Sequence, residues 1–423
     1  MTSAARSSHA RVAAHAGVTF VGLTAANVLN YVFYALVSRT LGVESYGAFS
    51  ALVAVVLIVS APALIGQLVV AKLAANYSND PQRLSGLVRA IDGLTLVVSI
   101  VPALVMAALA VPLAQFLHVG EPLLIVLAAG GLAGAIALPL LRGVQQGTSA
   151  FLAYALSNAA EGFGKALFSP LLGVVAGLRG AVAGMAIGYA AAAVSTFVAS
   201  RPHGRATPAH VSLREIARTS APVALAVFCV NVLLLYDVVL AKRYLDAHTA
   251  GLYGAVALSG RAVYAVIAFV PTVLLPQAAE RSARGERTRY LFAQAFVVAL
   301  LICAGAIVLF AFAPRFVVTT IAGRSFAGAA AFALPYVLAI AALSTANVVA
   351  TYNIARGRMR FVLPLACVAA GEVAAVVLRH RSAADLLQTI VVGHTLALLA
   401  CAMSLGGRTG RGAPGAPRES PLR

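Results

Sequence analysis

Asn27-Val28-Leu29-Asn30-Tyr31-Val32-Phe33-Tyr34-Ala35-Leu36-Val37-Ser38-Arg39 closes the first apolar stretch of this chain, and Thr40-Leu41-Gly42-Val43-Glu44-Ser45-Tyr46-Gly47 joins it to the next. The apolar run starts near residue 17 and lasts more than twenty residues before its first charge, enough to cross a bilayer as a helix. It carries no small-x-small cleavage pattern at its far end, so it reads as a first membrane helix rather than a removable leader. A second stretch repeats the pattern. Arg243 follows Asn231-Val232-Leu233 at the distance by which Arg39 follows Asn27, twelve residues, and Tyr253-Gly254 answers Tyr46-Gly47. The offset is 204 residues up to the arginine and 207 at the Tyr-Gly pair, so the second turn carries three extra residues. Arg142-Gly143 after the fourth apolar block and Arg356-Gly357 after the tenth extend the match. Collinear matches at equivalent block ends mark an internal duplication.

Composition agrees with a membrane reading. Hydrophobic residues make up 61% of the 423 positions and charged residues 10%, with a mean hydropathy of +0.92. Soluble chains carry roughly a quarter charged residues, so most of this surface faces something other than water. Apolar blocks fall near 17–38, 47–70, 90–113, 122–141, 151–176, 180–199, 217–241, 250–275, 290–313, 327–354, 361–378 and 386–405. Each half holds six of them. An even number per repeat gives both halves one orientation, related by an axis along the membrane normal. The expected fold is an all-α integral membrane protein of about twelve transmembrane helices in two six-helix lobes related by that pseudo-two-fold axis. The expected divisions are a cytoplasmic tail (1–16), an N-terminal lobe (17–200), an inter-lobe linker (201–216), a C-terminal lobe (217–405) and a Gly/Pro-rich disordered tail (406–423).

The net charge of +18 does not point to nucleic acid, because the basic residues sit in short segments between apolar blocks. With the N-terminus inside, the inner segments hold 21 Lys and Arg and the outer ones 8. That asymmetry predicts cytoplasmic termini. Cys229, Cys303, Cys367 and Cys401 all lie in apolar blocks and read as packing residues. No phosphate-binding G-x-x-x-x-G-K-[ST] motif and no metal-type histidine spacing is present, so neither a nucleotide cofactor nor a metal is expected.

Ionisable residues inside apolar helices cost at least ~2.5 kcal/mol each at the bilayer centre and normally face a cavity or a partner. Glu161 and Lys165 stand four apart on the fifth helix, so they share a face. They read either as a neutralised pair or as a cavity pair in which Lys165 meets an anion or Glu161 exchanges a proton. Arg261 suits a phosphate contact, with a salt bridge to Asp237 as the plainer reading. Glu372 has no basic residue within a turn on its own helix and is a candidate proton site, as Asp237 is for ion coupling. Asp92 reads as a carboxylate at a helix start, while Asn27, Asn30 and Asn347 read as interhelical hydrogen-bond residues.

The segment Ser38-Arg39-Thr40-Leu41-Gly42-Val43-Glu44-Ser45-Tyr46-Gly47-Ala48-Phe49 resembles the first outer loop of the polysaccharide-transport flippases, in the multidrug/oligosaccharidyl-lipid/polysaccharide exporter superfamily. Asp237 to Arg243, Gly251-Leu252-Tyr253 and Pro271 to Pro276 resemble later junctions of the same family. The resemblance implies two lobes that open alternately around a central cavity, with a polyprenyl-diphosphate-linked glycan as cargo. With such a cargo the candidate substrate contacts are Lys165, Arg261 and the motif residue Arg39, which as an outer-loop residue alternatively fixes that turn, and the candidate coupling residues are Glu161, Asp237 and Glu372. It also implies a bacterial inner membrane, with a polysaccharide polymerase and glycosyltransferases as partners. A drug/cation antiporter of the same superfamily is the alternative. A membrane glycan polymerase or glycosyltransferase fits less well, since no segment between blocks exceeds about twenty residues.

Overall fold

The computed structural model describes residues 3–200, 214–284 and 288–405. Most of the expected linker and the whole C-terminal tail lie outside the described residues. Among those described, all regular structure is helical: α1 (Ser3–Asn76), α2 (Pro81–Ala108), α3 (Ala110–Phe116), α4 (Pro122–Gly147), α5 (Phe151–Ser200), α6 (Arg214–Tyr244), α7 (Ala247–Ala283), α8 (Arg289–Phe312), α9 (Pro314–Ile321), a 3-10 turn (Arg324–Ala329), α10 (Ala330–Ala355), α11 (Val362–Leu378) and α12 (Ala383–Ala402).

Two of these helices are folded in half. Gly42 interrupts α1 with φ 72° and ψ 177°, a region essentially closed to any residue with a Cβ. The chain therefore reverses there without a loop, which explains a glycine in the Arg-Thr-Leu-Gly turn. Ala176 and Gly177, the latter at φ 57° and ψ −138°, break α5 in the same way. Nine described helices are long and apolar enough to cross a membrane, and Val362–Leu378 is a shorter apolar one. The expected twelve crossings correspond to reading each broken helix as two and the short one as a crossing.

Several helices run beyond the apolar blocks that announce them. Helix α2 starts at Pro81, nine residues before the apolar block, because Asp80 caps it by accepting the backbone N–H groups of Gln82 and Arg83. Asp92 consequently lies about three turns inside the helix rather than at its start. The short helices α3 and α9 were not expected as separate elements. They begin at Ala110 and Pro314, a separation of 314 − 110 = 204 residues, the offset of the sequence repeat.

Helix α1 packs on α4 and α5, and α4 on α2, to form one lobe. In the other, α10 packs on α7, α8 and α12, and α11 on α12 and α6. The lobes meet where α1 crosses α6 and α7, and the two Tyr-Gly motifs form that seam. A Cβ on Gly47 would lie 2.8 Å from the backbone nitrogen of Gly251, and one on Gly254 would lie 2.6 Å from Ser50 Oγ. Tyr46 and Tyr253 are fully buried beside this contact. Gly47→Leu should therefore force the lobes apart at this end. Distances between spin labels on the two lobes should lengthen there; unchanged distances would show that the seam yields without opening.

Candidate functional site

The N-terminal lobe holds a buried three-charge cluster. Glu161 on α5 accepts Lys165 Nζ at 2.6 Å on one carboxylate oxygen and Arg142 Nη1 at 2.8 Å on the other. Side-chain exposures of 15% for Glu161, 6% for Lys165 and 7% for Arg142 place the cluster out of bulk water. Arg142 is fixed further: its Nε donates to Ser157 Oγ and its Nη2 to the Ser157 carbonyl, both at 2.8 Å. Ser157 in turn shares a 2.5 Å hydrogen bond with Thr196 on the second arm of α5. Lys165 is held less tightly. Its ammonium sits 4.5 Å from the Tyr189 ring centroid and 5.6 Å from that of Phe33, in cation–π range. The two arms of α5 close tightly enough for this because Gly188 lies against Lys165, where a Cβ would stand 2.6 Å from the Lys165 backbone nitrogen.

Arg142 is a correction to the sequence reading, which placed it in an inner loop after the fourth block. The apolar run ends at Leu141, but α4 continues to Gly147, so the guanidinium is buried inside the lobe. Removing it from the inner count leaves twenty basic residues against eight, and the charge asymmetry stands.

The C-terminal lobe holds two acidic centres. Asp237 on α6 accepts Arg261 Nη2 at 3.3 Å, Tyr336 Oη at 2.9 Å and Tyr253 Oη at 3.1 Å. The expected Arg261–Asp237 pair is therefore present, and Arg261 Nε also donates to the Leu234 carbonyl at 3.2 Å. Glu372 on α11 finds partners on other helices: Tyr236 Oη donates to it at 2.7 Å, and His394 Nε2 lies 3.4 Å away. The other carboxylate oxygen of Glu372 is buried without a hydrogen-bond partner. The two ring nitrogens of His394 face the carbonyls of Ala339 at 3.0 Å and Leu233 at 3.2 Å. A neutral imidazole donates from one nitrogen only, so in that form the ring makes a hydrogen bond to one of these two carbonyls.

Helix α1 packs against both α5, which carries Lys165, and α7, which carries Arg261. Tyr31 Oη donates to the Arg261 carbonyl at 2.8 Å. In these two ion-pair clusters the cations Arg142, Lys165 and Arg261 outnumber their carboxylate partners Glu161 and Asp237 by one. Arg39 stands elsewhere. It reaches across the lobe contact to the last carbonyls of α9, Thr320 at 2.6 Å and Ile321 at 2.9 Å, while Ser38 Oγ donates to the Ala322 carbonyl at 2.9 Å. A cation on helix C-terminal carbonyls is favourable. Its repeat partner Arg243 lies 3.0 Å from His118, just beyond α3 in the other lobe. Asn30 and Asn231 bond back to carbonyls of their own helices, at Ala26 and Val227, rather than between helices.

Arg142, Tyr236 and His394, which pair with Glu161 and Glu372, are not singled out by the sequence. His394 was legible in part, since it alone of the eight histidines falls within an apolar block. Tyr236 carries no charge to distinguish it in an apolar stretch.

No known family profile and no curated protein matches the sequence. Solved structures match the fold over nearly the whole chain. A multidrug resistance MATE family transporter of the MOP superfamily, in its inward-facing conformation, superposes with a TM-score of 0.71 at 13% identity, covering 90% of this chain and 92% of that one. The lipid II flippase MurJ, in an inward closed conformation, gives 0.69 at 11% identity over 92% and 87%. The eukaryotic MATE transporter AtDTX14 gives 0.63 at 15% identity over 92% and 93%. The chain is a multi-pass helical membrane protein with the fold of the MOP-superfamily transporters.

Proposed function

We propose that this protein is a transporter that flips a lipid-linked oligosaccharide between leaflets by alternating access of its two lobes. The cations Lys165, Arg142 and Arg261, which outnumber their carboxylate partners Glu161 and Asp237 by one, carry this reading. An uncompensated charge out of water is costly, and an anionic diphosphate would supply the missing counter-charge. Arginine and lysine both bind phosphate, arginine with bidentate geometry. Lys165 and Arg261 contact the diphosphate, while the polyprenyl chain stays in the bilayer. Glu161, Asp237 and Glu372, the last with His394, are the groups available for proton or ion coupling. In the present conformation Arg39 is engaged by carbonyls of the opposite lobe and serves the contact between lobes. The 20-to-8 distribution of basic residues supports cytoplasmic termini in a bacterial inner membrane, with glycosyltransferases and a polysaccharide polymerase acting on either side.

The unpartnered Glu372 oxygen favours the second reading, export of cationic drugs, since a buried carboxylate attracts cations. Deletion of the gene separates the two. Accumulation of polyprenyl-diphosphate-linked oligosaccharide with loss of surface glycan is the expected result. Unchanged glycan pools together with new sensitivity to cationic drugs would replace the flippase reading by the antiporter.

A further inference from the structure

We infer that Arg39 and Arg243 form a two-fold latch that shuts the space between the lobes at one end of the molecule, each arginine gripping the short helix of the opposite lobe. The inference goes beyond the cargo reading and holds for any cargo. Three observations carry it. Arg39, in the N-terminal lobe, donates to the carbonyls of Thr320 and Ile321 at the end of α9, at 2.6 and 2.9 Å, and the buried Ser38 beside it donates to the Ala322 carbonyl at 2.9 Å. Arg243, in the C-terminal lobe, lies 3.0 Å from His118 Nε2 just past the end of α3, and its guanidinium carbon is 5.3 Å from the Phe116 ring centroid. The two contacts are images of one another. The 204-residue offset that relates Arg39 to Arg243 also relates Phe116 to Thr320 and His118 to Ala322.

Reciprocal contacts of this kind are what a two-fold interface requires, since each patch meets the counterpart of itself. The two halves use different chemistry. At α9 the guanidinium meets last-turn carbonyls, the negative end of the helix dipole. At α3 the arginine can only donate, so an unprotonated ring nitrogen of His118 accepts. Both halves are aimed. Arg39 Nη1 also donates to the Ala35 carbonyl on its own helix at 2.7 Å, which orients the fork along α1. His118 has φ 48°, the left-handed conformation that glycine usually supplies after a helix, and it turns its ring to Arg243. A single exposed pair contributes little to stability. Here two sets act across one seam: Arg39 and Arg243 each stand eight residues before a glycine of the Gly47–Gly251 contact. Both must release before the lobes part at this end, which is the outer one in the orientation proposed above.

The test uses the full-length protein in nanodiscs, with the exposed Cys367 replaced by serine. Spin labels at the exposed positions Gln115 on α3 and Arg315 on α9 report this end, and labels at Ser78 and Arg360 report the opposite one. Arg39→Gln combined with Arg243→Gln removes both charges. The population with a lengthened Gln115–Arg315 distance should grow roughly ten-fold, the effect of losing hydrogen bonds to a charged group. The Ser78–Arg360 distance should shorten in the same proportion of molecules, and each single change should give part of the shift. His118→Ala should act as Arg243→Gln does, and combining those two should add nothing, as for partners in one contact. Unchanged distances in the double-arginine variant would overturn the latch and leave the Tyr-Gly seam as the whole closure. Lengthening at this end with no shortening at the other would also overturn it, since that is the signature of loosened packing.

Discussion

Lys165→Ala should abolish most glycan export while leaving the protein inserted and folded. The structure makes this substitution cleaner than its C-terminal counterpart. Once Lys165 is gone, Glu161 keeps Arg142 at 2.8 Å, so no buried charge is stranded. What is lost is the one cation of the cluster that Ser157 does not fix in place. A charge-assisted contact to a phosphate contributes about 1.5–3 kcal/mol, which corresponds to a roughly ten- to hundred-fold loss of affinity. Arg261→Ala is a poorer experiment, because it leaves the Asp237 carboxylate buried with only the hydroxyls of Tyr253 and Tyr336. The double substitution Arg261→Ala with Asp237→Asn keeps neutrality and isolates the contribution of the guanidinium. Both variants should reach the membrane at wild-type levels and accumulate lipid-linked intermediates. Wild-type export in both would remove the site evidence for an anionic cargo.

Glu161→Ala should be the most destabilising single change in the N-terminal lobe. It leaves Arg142 and Lys165 facing each other, both nearly inaccessible to water and with no carboxylate between them. Breaking a buried ion pair by removing one partner costs about 3–5 kcal/mol, and here one carboxylate serves two cations. The chain lacks tryptophan, so unfolding is best followed through its thiols: Cys229, Cys303 and Cys401 are buried and Cys367 is exposed. A thiol-reactive dye should report exposure of the three buried cysteines at a markedly lower temperature than in the wild type. Adding Arg142→Met should recover part of the loss. A melting temperature equal to that of the wild type would show that water or lipid phosphate already compensates the cluster.

The Glu161–Lys165 pair was legible because two charges four residues apart on a helix must share a face, whatever the helix packs against. The Arg261–Asp237 pair was a guess between neighbouring helices that the packing supports. Arg142 was misplaced for a definite reason. Hydropathy ends at Leu141, and nothing local shows that α4 runs on to Gly147 or that Ser157 and Glu161 wait beside it. Glu372 was recognised as needing a partner, but Tyr236 lies 136 residues away in the chain, and no periodicity connects them.

The sequence by itself determined a multi-pass helical protein, its duplicated plan and most of its helix positions. Those properties follow from local terms: apolar run length against bilayer thickness, and the recurrence of Asn27 and Tyr46 at Asn231 and Tyr253. The tertiary structure decided which charges neutralise which. It also placed Arg39, a motif residue, on the carbonyls of α9 across the lobe contact. The physical reason is that a buried charge takes its counter-charge from whatever packing brings within about 4 Å, and that distance is set between helices rather than along them.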